Sequence, residues 1–461
     1  MGRVSLHDPV ETDPEREDTS GPLFTPPRGP VRGWNDGAVV RATGIPYATA
    51  GRFEPPVAAA DRNEELLATA WSPACPQAPV PFLDEVLGKS ASERRFDEDC
   101  QHLSVTAPAD LTPGETLPVM VWIHGGSYVS GAGDLPIMDP AALVAEQRVI
   151  VVTVTYRLGL FGFLGGTPGR PANLGLLDIV EAFRWVQRNI RAFGGDPREV
   201  TAFGQSAGAD AVAQLMAVPD APSLFRRAII QSAPLGLGRG RAAINATMAA
   251  AAAGIGADVP AEELVAREAA IGRLAAGSGL KAGMPFGTQY GHAPLPPEAE
   301  IEAVWSRVAP EIDILIGHTV EEARLFVPRI PAVARVAAWP VIGPLLRRGL
   351  VSAVTAAVYG RSSRRFARRH ARAGGRADRY LISWAAPGNP FGSAHTIDLP
   401  LLFGDEKTWA QAAIVAGSEW RDLDAAARAT RALWAGFAHG SALPKSGRIP
   451  GVLRHRAVGR R

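Results

Sequence analysis

Only two cysteines, Cys75 and Cys100, occur in 461 residues. Two cannot build a zinc site by themselves, and no H-E-x-x-H is present. They read either as one disulfide or as two reduced, buried thiols. A Walker A sequence and a clean G-x-G-x-x-G are both missing, so no nucleotide cofactor is expected, and no other cofactor or metal is implied. No run of about 18 uncharged apolar residues exists, so no membrane span is expected. The closest stretch, "VAAWPVIGPLL" (336–346), is broken by two prolines and followed by Arg347-Arg348. It reads as a lid or pocket wall.

An excess of either charge is also lacking. Lys and Arg total 48 against 46 Asp and Glu, a net charge of +2. No whole-chain field points to nucleic acid or a membrane surface. The opening residues "MGRVSLHDPVETDPEREDTS" hold no apolar run and so no signal peptide. Residues 1–22 read as a disordered acidic tail, and the location implied is cytoplasmic. No internal repeat is evident.

An ample apolar fraction, 46%, is present, enough for a large core. Six apolar runs have the look of buried parallel strands: "LPVMVWIHG" (117–125), "VIVVTVTYR" (149–157), "EVTAFG" (199–204), "FRRAIIQSA" (225–233), "IDILIG" (312–317) and "RYLISWA" (379–385). Helical patterns separate many of them. In "NLGLLDIVEAFRWVQRNIRAFGGDP", Leu176, Val180, Phe183, Val186, Ile190 and Phe193 share one face, and Gly194-Gly195 supplies the stop. The alternation predicts an α/β fold with a mostly parallel sheet flanked by helices. Residues 234–300, Ala-rich and helical, read as an insertion. The arginines of 361–379 recur at spacings of three and four and read as a solvated helix face rather than a nucleic-acid interface.

One pentapeptide carries chemistry. Gly204-Gln205-Ser206-Ala207-Gly208 is a G-x-S-x-G match. With 49 glycines in the chain, composition alone yields such a match roughly 0.2 times, so context must decide. Ser206 follows a predicted strand and precedes "SAGADAVAQLMAV", a helical stretch. Strand, sharp turn and helix are what a nucleophile elbow needs. A second element, "WIHGGSYVSGAG", follows an earlier strand. Backbone N–H groups there, with that of Ala207, are candidate oxyanion donors.

A serine nucleophile requires a base. His370 lies inside the arginine run, His439 in a helical pattern and His455 in a basic tail. His395, in the loop "PGNPFGSAHTIDLP" after the last predicted strand, is the candidate. The acid should follow the preceding strand, where Glu321 and Glu322 are adjacent and spacing does not separate them. Asp398 is expected to contact local backbone.

These residues, with "GIPYA" (44–48), "EDCQHLSV" (98–105), "YRLGLFGFL" (156–164), "NLGLLDIVEAFRWVQRNIRAFGGDPREVTAFGQSAGA" (173–209) and "HTIDLPLLFG" (395–404), resemble the type-B carboxylesterase family, the cholinesterase-like branch of the α/β-hydrolases, from about Gly29 to Pro444. The resemblance implies a Ser206–Glu322–His395 triad, with the acid in an x-E-G-x-x-F segment in which Ala323 replaces the glycine. It implies oxyanion donors at Gly126, Ser127 and Ala207, and a disulfide between Cys75 and Cys100. The chain departs from the family at Gln205, where a glutamate is usual. It also lacks a tryptophan between the two cysteines, so choline esters are not the expected substrates. The domain plan that follows is a single α/β-hydrolase domain with helical lid insertions over 23–445 and a short basic tail over 446–461. The expected partner is a small-molecule ester, and the expected state a monomer or weak oligomer. Competing readings are a catalytically silent binding protein on this fold, and an amide or carbamate hydrolase using the same residues.

Overall fold

The computed structural model describes residues 20–88, 94–329, 335 and 342–459. The first part of the expected tail, and 336–341 of the expected lid segment, lie outside them. One sheet of eleven strands organises the chain. In chain order these are β1 (Trp34–Asp36), β2 (Val39–Pro46), β3 (His102–Pro108), β4 (Leu117–Ile123), β5 (Ile150–Val154), β6 (Gly195–Gln205), β7 (Arg227–Gln231), β8 (Asp313–Thr319), β9 (Ala377–Ile382), β10 (Ser446–Ile449) and β11 (Leu453–Ala457). Their spatial order is β10-β11-β9-β8-β7-β6-β4-β5-β3-β2-β1.

The six central strands, β4 through β9, are parallel. They are the six runs expected from sequence. Most of their length is buried on both faces because helices cover both, but one face of β9, with Arg379 and Leu381, is only partly buried. The edges are antiparallel. Their pairings join β1–β2–β3–β5 at one side and β9–β11–β10 at the other. Thus the chain from residue 446 does not begin a tail. It forms a β-hairpin that extends the sheet, and Leu453 and Val452 are buried in the core. The edge escapes a hydrophobicity reading because β11, "LRHRA", alternates buried Leu453 and His455 with exposed arginines.

Chain order sets where a site forms. From β4 the chain moves outward to β5, then returns across β4 to build β6 through β9 on the other side. The strand order therefore reverses between β4 and β6. In open α/β sheets the crevice at the carboxyl ends of such strands is where ligands bind.

Helix α1 (Leu174–Asn189) buries Leu176, Val180, Phe183 and Val186, the face set by their spacing. A 3-10 turn continues to Phe193, and Gly194 closes it at φ 84°, a left-handed value that costs glycine least. The buried pair Arg157–Asp178 (Nη2–Oδ1 2.7 Å) ties the segment after β5 to this helix. Residues 234–300 form the expected helical insertion, with helices at Ala242–Ala252 and Ala261–Gly272.

Cys75 and Cys100 are free thiols, both buried, which corrects the implied disulfide. They pack as small apolar side chains within the core. Leu158 N–H donates to Cys75 Sγ at 3.3 Å. Burial, then the neighbouring Cys75, pushes the Cys100 thiol up, so the reactive thiolate is suppressed.

Candidate active site

The turn after β6 carries Ser206 at φ 57°, ψ −124°, and α2 (Ala207–Leu215) starts at the next residue. A non-glycine residue held at such angles stores strain that the surroundings must support. Two glycines make the support. A Cβ on Gly208 would lie 2.0 Å from Ile123 O, and one on Gly204 2.7 Å from both Ile123 O and Gly208 C. Strand β4, the elbow and α2 approach as closely as backbone allows. The Ser206 N–H donates to Gln231 O at 2.9 Å, anchoring the turn to β7.

His395 stands over this elbow. Its Nε2 is 2.8 Å from Ser206 Oγ, and its Nδ1 contacts Glu322 Oε2 in a short hydrogen bond. Glu322 sits just past β8, wholly buried, and its other oxygen accepts from Thr319 N–H at 2.7 Å. Burial pushes its pKa up, but the attraction and hydrogen bond from His395 prevail and hold it below the ordinary value. Glu321, left open by the spacing, faces away. It pairs with Arg324 (2.8 Å) and accepts from Ser393 N–H at 3.2 Å. The structure therefore brings Ser206, His395 and Glu322 into one line and leaves Glu321 outside it.

The three other histidines beyond Glu322 have structural partners or places. His370 contacts Ile312 O (2.8 Å), and burial pushes it down to about 4. His439 contacts Gln147 O at 3.0 Å, and His455 lies in the sheet rather than in a tail.

After β4 the chain turns sharply. Gly126, Ser127 and Tyr128 take φ values of 114°, 56° and 63°. A Cβ on Gly126 would meet Ser130 O at 1.9 Å, so only glycine fits this turn. Among the described residues, the N–H groups of Gly126, Ser127 and Ala207 donate to no backbone carbonyl, which leaves them available to a ligand. His124, just before, is a neutral spacer. It stacks on Tyr156 at 4.3 Å, and burial lowers it to about 4.

Gln205 holds the place of the family glutamate, with Nε2 3.3 Å from His395 Nε2. An amide there adds no charge beside the imidazole. Sequence reasoning missed a second layer. Gln231 donates from Nε2 to Asp398 Oδ2 (2.9 Å) and accepts from Trp434 Nε1–H (3.0 Å). Asp398 thus binds a side chain of β7, not chiefly the neighbouring backbone as expected. Glutamine at the last position of a buried strand is the only signal of it in the sequence.

The cleft over Ser206 has an apolar wall of Val80, Leu83, Leu87, Leu135, Ile137 and Met138. Phe326, 40% exposed, stands at the other side, its ring 5.4 Å from that of His395. Among the described residues no cluster of three or more His, Cys, Asp or Glu is arranged to hold a metal, and no helix is long and apolar enough to cross a membrane.

Residues 22–336 match the Carboxylesterase family. A probable N-octanoylanthranilate hydrolase of Rhodococcus erythropolis is 38% identical, over 90% of this chain and 92% of its own length. The para-nitrobenzyl esterase of Bacillus subtilis is 44% identical over 46% of this chain and 43% of its own. A solved thermophilic PNB esterase superposes with a TM-score of 0.76 at 30% identity, covering 93% of both chains. The chain therefore belongs to the carboxylesterase family and is a carboxylic ester hydrolase on the α/β-hydrolase fold.

Proposed function

We propose that hydrolysis proceeds through an acyl-enzyme on Ser206. Ser206 Oγ attacks the ester carbonyl as His395 Nε2 takes its proton. Glu322 holds the imidazole with Nδ1–H toward itself and stabilises the imidazolium that forms. The N–H groups of Gly126, Ser127 and Ala207 stabilise the tetrahedral oxyanion. His395 then returns the proton to the leaving alcohol, whose C–O bond breaks. Water, deprotonated by His395, attacks the acyl-enzyme, and the bond to Ser206 Oγ breaks as His395 returns that proton to Oγ, releasing the acid and restoring the free enzyme. The observation that carries this reading is the line from Ser206 Oγ to His395 Nε2 (2.8 Å) and on to Glu322, placed at the crevice where the strand order reverses.

The apolar wall is a place for the acyl chain. A second reading, hydrolysis of N-acyl aromatic amides, draws support from that wall and from the whole-length relative named for N-octanoylanthranilate. It uses the same residues with an amine as leaving group.

The test is a fluorophosphonate label followed by peptide mapping, with aryl esters and N-acyl anilides as substrates. Wild type should be labelled at Ser206. Ser206→Ala should fold normally and lose at least ~10³-fold in turnover of whichever class is cleaved. Label on another serine, or an active alanine variant, sinks the mechanism.

A further inference from the structure

A cavity of about 700 Å³ opens on the sheet face under α4 (Arg361–Arg372), beside the C-terminal hairpin. It shares no lining residue with the ester cleft. Its charge is one-sided. Arg361 and Arg364 reach it from α4, Arg379 from β9, and Arg454 and Arg456 from β11, with His318 of β8 alongside. Among the described residues, no Asp or Glu lines it.

The strand register brings these charges together. Arg379 is paired directly opposite Arg456, with Arg454 two residues along the same strand and on the same face. Like charges directly opposite on a sheet are destabilising. Arg361 and Arg364 lie one turn apart on the helix covering that face. Among the described residues, none of the five arginines forms an ion pair, although neighbours on the same helix do: Arg365 and Arg369 both reach Glu302. Arg379 forms the floor. Its Nε is buried without a hydrogen-bond partner. Burial, then the charges of Arg364, Arg456 and Arg368, lowers it to about 10. A buried cationic donor with no acceptor is costly unless something supplies one.

We propose that this cavity is a second ligand site that binds clustered phosphate groups. The guanidinium fork matches phosphate oxygens in paired hydrogen bonds. One carboxylate would leave most of five cations uncompensated, whereas linked phosphates place several charges in a small volume. The cavity is within the size range of small-molecule sites. The phosphates belong either to a soluble polyphosphorylated molecule or to lipid headgroups. The second source has its own observation. Helix α3 (Ile342–Thr355) lends Ser352 and Thr355 to the cavity and exposes Leu345 and Leu346 by 64% and 49% beyond it.

Titration calorimetry of the full chain at low salt, with sodium tripolyphosphate and with inorganic phosphate, tests the site. Tripolyphosphate should saturate at one per chain, and inorganic phosphate should bind at least about 10-fold more weakly, having fewer oxygens to pair with the guanidinium groups. The double variant Arg364→Ser/Arg456→Ser should weaken tripolyphosphate by about 100-fold, roughly tenfold for each guanidinium removed. Arg421→Ser, an exposed arginine elsewhere, should change nothing. Thermal unfolding checks that each variant is folded. In a parallel arm, sedimentation with phosphatidylglycerol vesicles, compared with phosphatidylcholine, distinguishes the sources. Vesicle binding that the double variant abolishes assigns the phosphates to lipid, and tripolyphosphate binding without vesicle binding assigns them to a soluble ligand. No saturation in either arm, or binding that the double variant retains, overturns the site.

Discussion

Glu321 and Glu322 are neighbours with opposite surroundings. Glu322 is fully buried against His395, while Glu321 is half-exposed and paired with Arg324. In the proposed mechanism, the residue that fixes the imidazole tautomer is Glu322, whose carboxylate contacts His395 Nδ1. Glu322→Gln should therefore lose up to ~10⁴-fold in kcat, the cost of an acid-to-amide change that permits the wrong tautomer. Glu321→Gln should stay near wild type, since it removes one partly exposed ion pair. Steady-state kinetics on both folded variants decides, and the reverse ranking would move the acid to Glu321. Asp398 belongs to the same scale but titrates differently. Burial first of all pushes it up to about 6 from an ordinary 3.8, while its Gln231 hydrogen bond pulls the other way. Its folded state holds the proton more tightly than its unfolded state. Asp398 therefore costs nothing below pH 3.8, a growing amount as pH rises toward 6, and a constant amount above that. The cost is at most about 3 kcal/mol. Asp398→Asn should remove this slope. Urea midpoints measured from pH 4 to 7 should fall less steeply for the variant than for wild type, and parallel profiles would show that Asp398 does not ionise as argued.

At the scale of elements, the elbow works because β4 and α2 touch through glycine. Gly208→Ala would place a methyl carbon 2.0 Å from Ile123 O, and both partners are backbone. The strand and helix must part, carrying Ser206 away from the N–H groups after β4. Overpacking of this kind costs about 1–3 kcal/mol, and a shift near 1 Å in a reacting group costs ~10²-fold. Gly208→Ala should thus lose ~10²-fold in turnover, equivalent to about 2.7 kcal/mol, alongside a stability loss of similar size. Thermal unfolding and ester kinetics on the same sample check both, and a variant with unchanged turnover would show that the close approach does not position Ser206. The motif spells this close approach in advance, because G-x-S-x-G names both glycines. The six parallel strands are equally legible, since burial on both faces writes a continuous apolar run. The acid is not. Two adjacent glutamates share every local property, and only the path of the chain past β8 decides which side chain turns inward. The Gln231–Asp398–Trp434 layer is also hidden, because it joins residues 167 and 203 positions apart in sequence.

At the scale of the whole molecule, the sheet is edged by segments far apart in sequence, Trp34–Asp36 at one side and Ser446–Ile449 at the other. The hairpin of β10 and β11 reads from its basic composition as a tail, yet it closes the edge of β9. Ser383 and Trp384 N–H both donate to Val452 O, at 2.7 and 3.1 Å, and Val452 and Leu453 pack in the same cluster as Trp434, Tyr380 and Trp384. Removing the hairpin would expose those apolar groups and leave the last parallel strand with an unpaired edge, a template for aggregation. Burial of Val452 and Leu453 side chains contributes about 1.5–3 kcal/mol each, on the order of a third of a typical stability of 5–15 kcal/mol. A chain ending at Lys445 should therefore unfold at a temperature lower by roughly 6–24 °C, given about 3–6 kcal/mol lost at about 2–4 °C per kcal/mol. It should also show oligomers by size-exclusion chromatography that the full chain does not. The cavity of arginines sharpens the expectation, because β11 supplies two of its five cations. Truncation relieves part of that repulsion, and raising ionic strength screens it in the full chain. Salt should consequently stabilise the full chain more than the truncated one. A truncated chain that is monomeric, with unchanged unfolding temperature, would mean that the hairpin is dispensable and that the sheet ends in effect at β9.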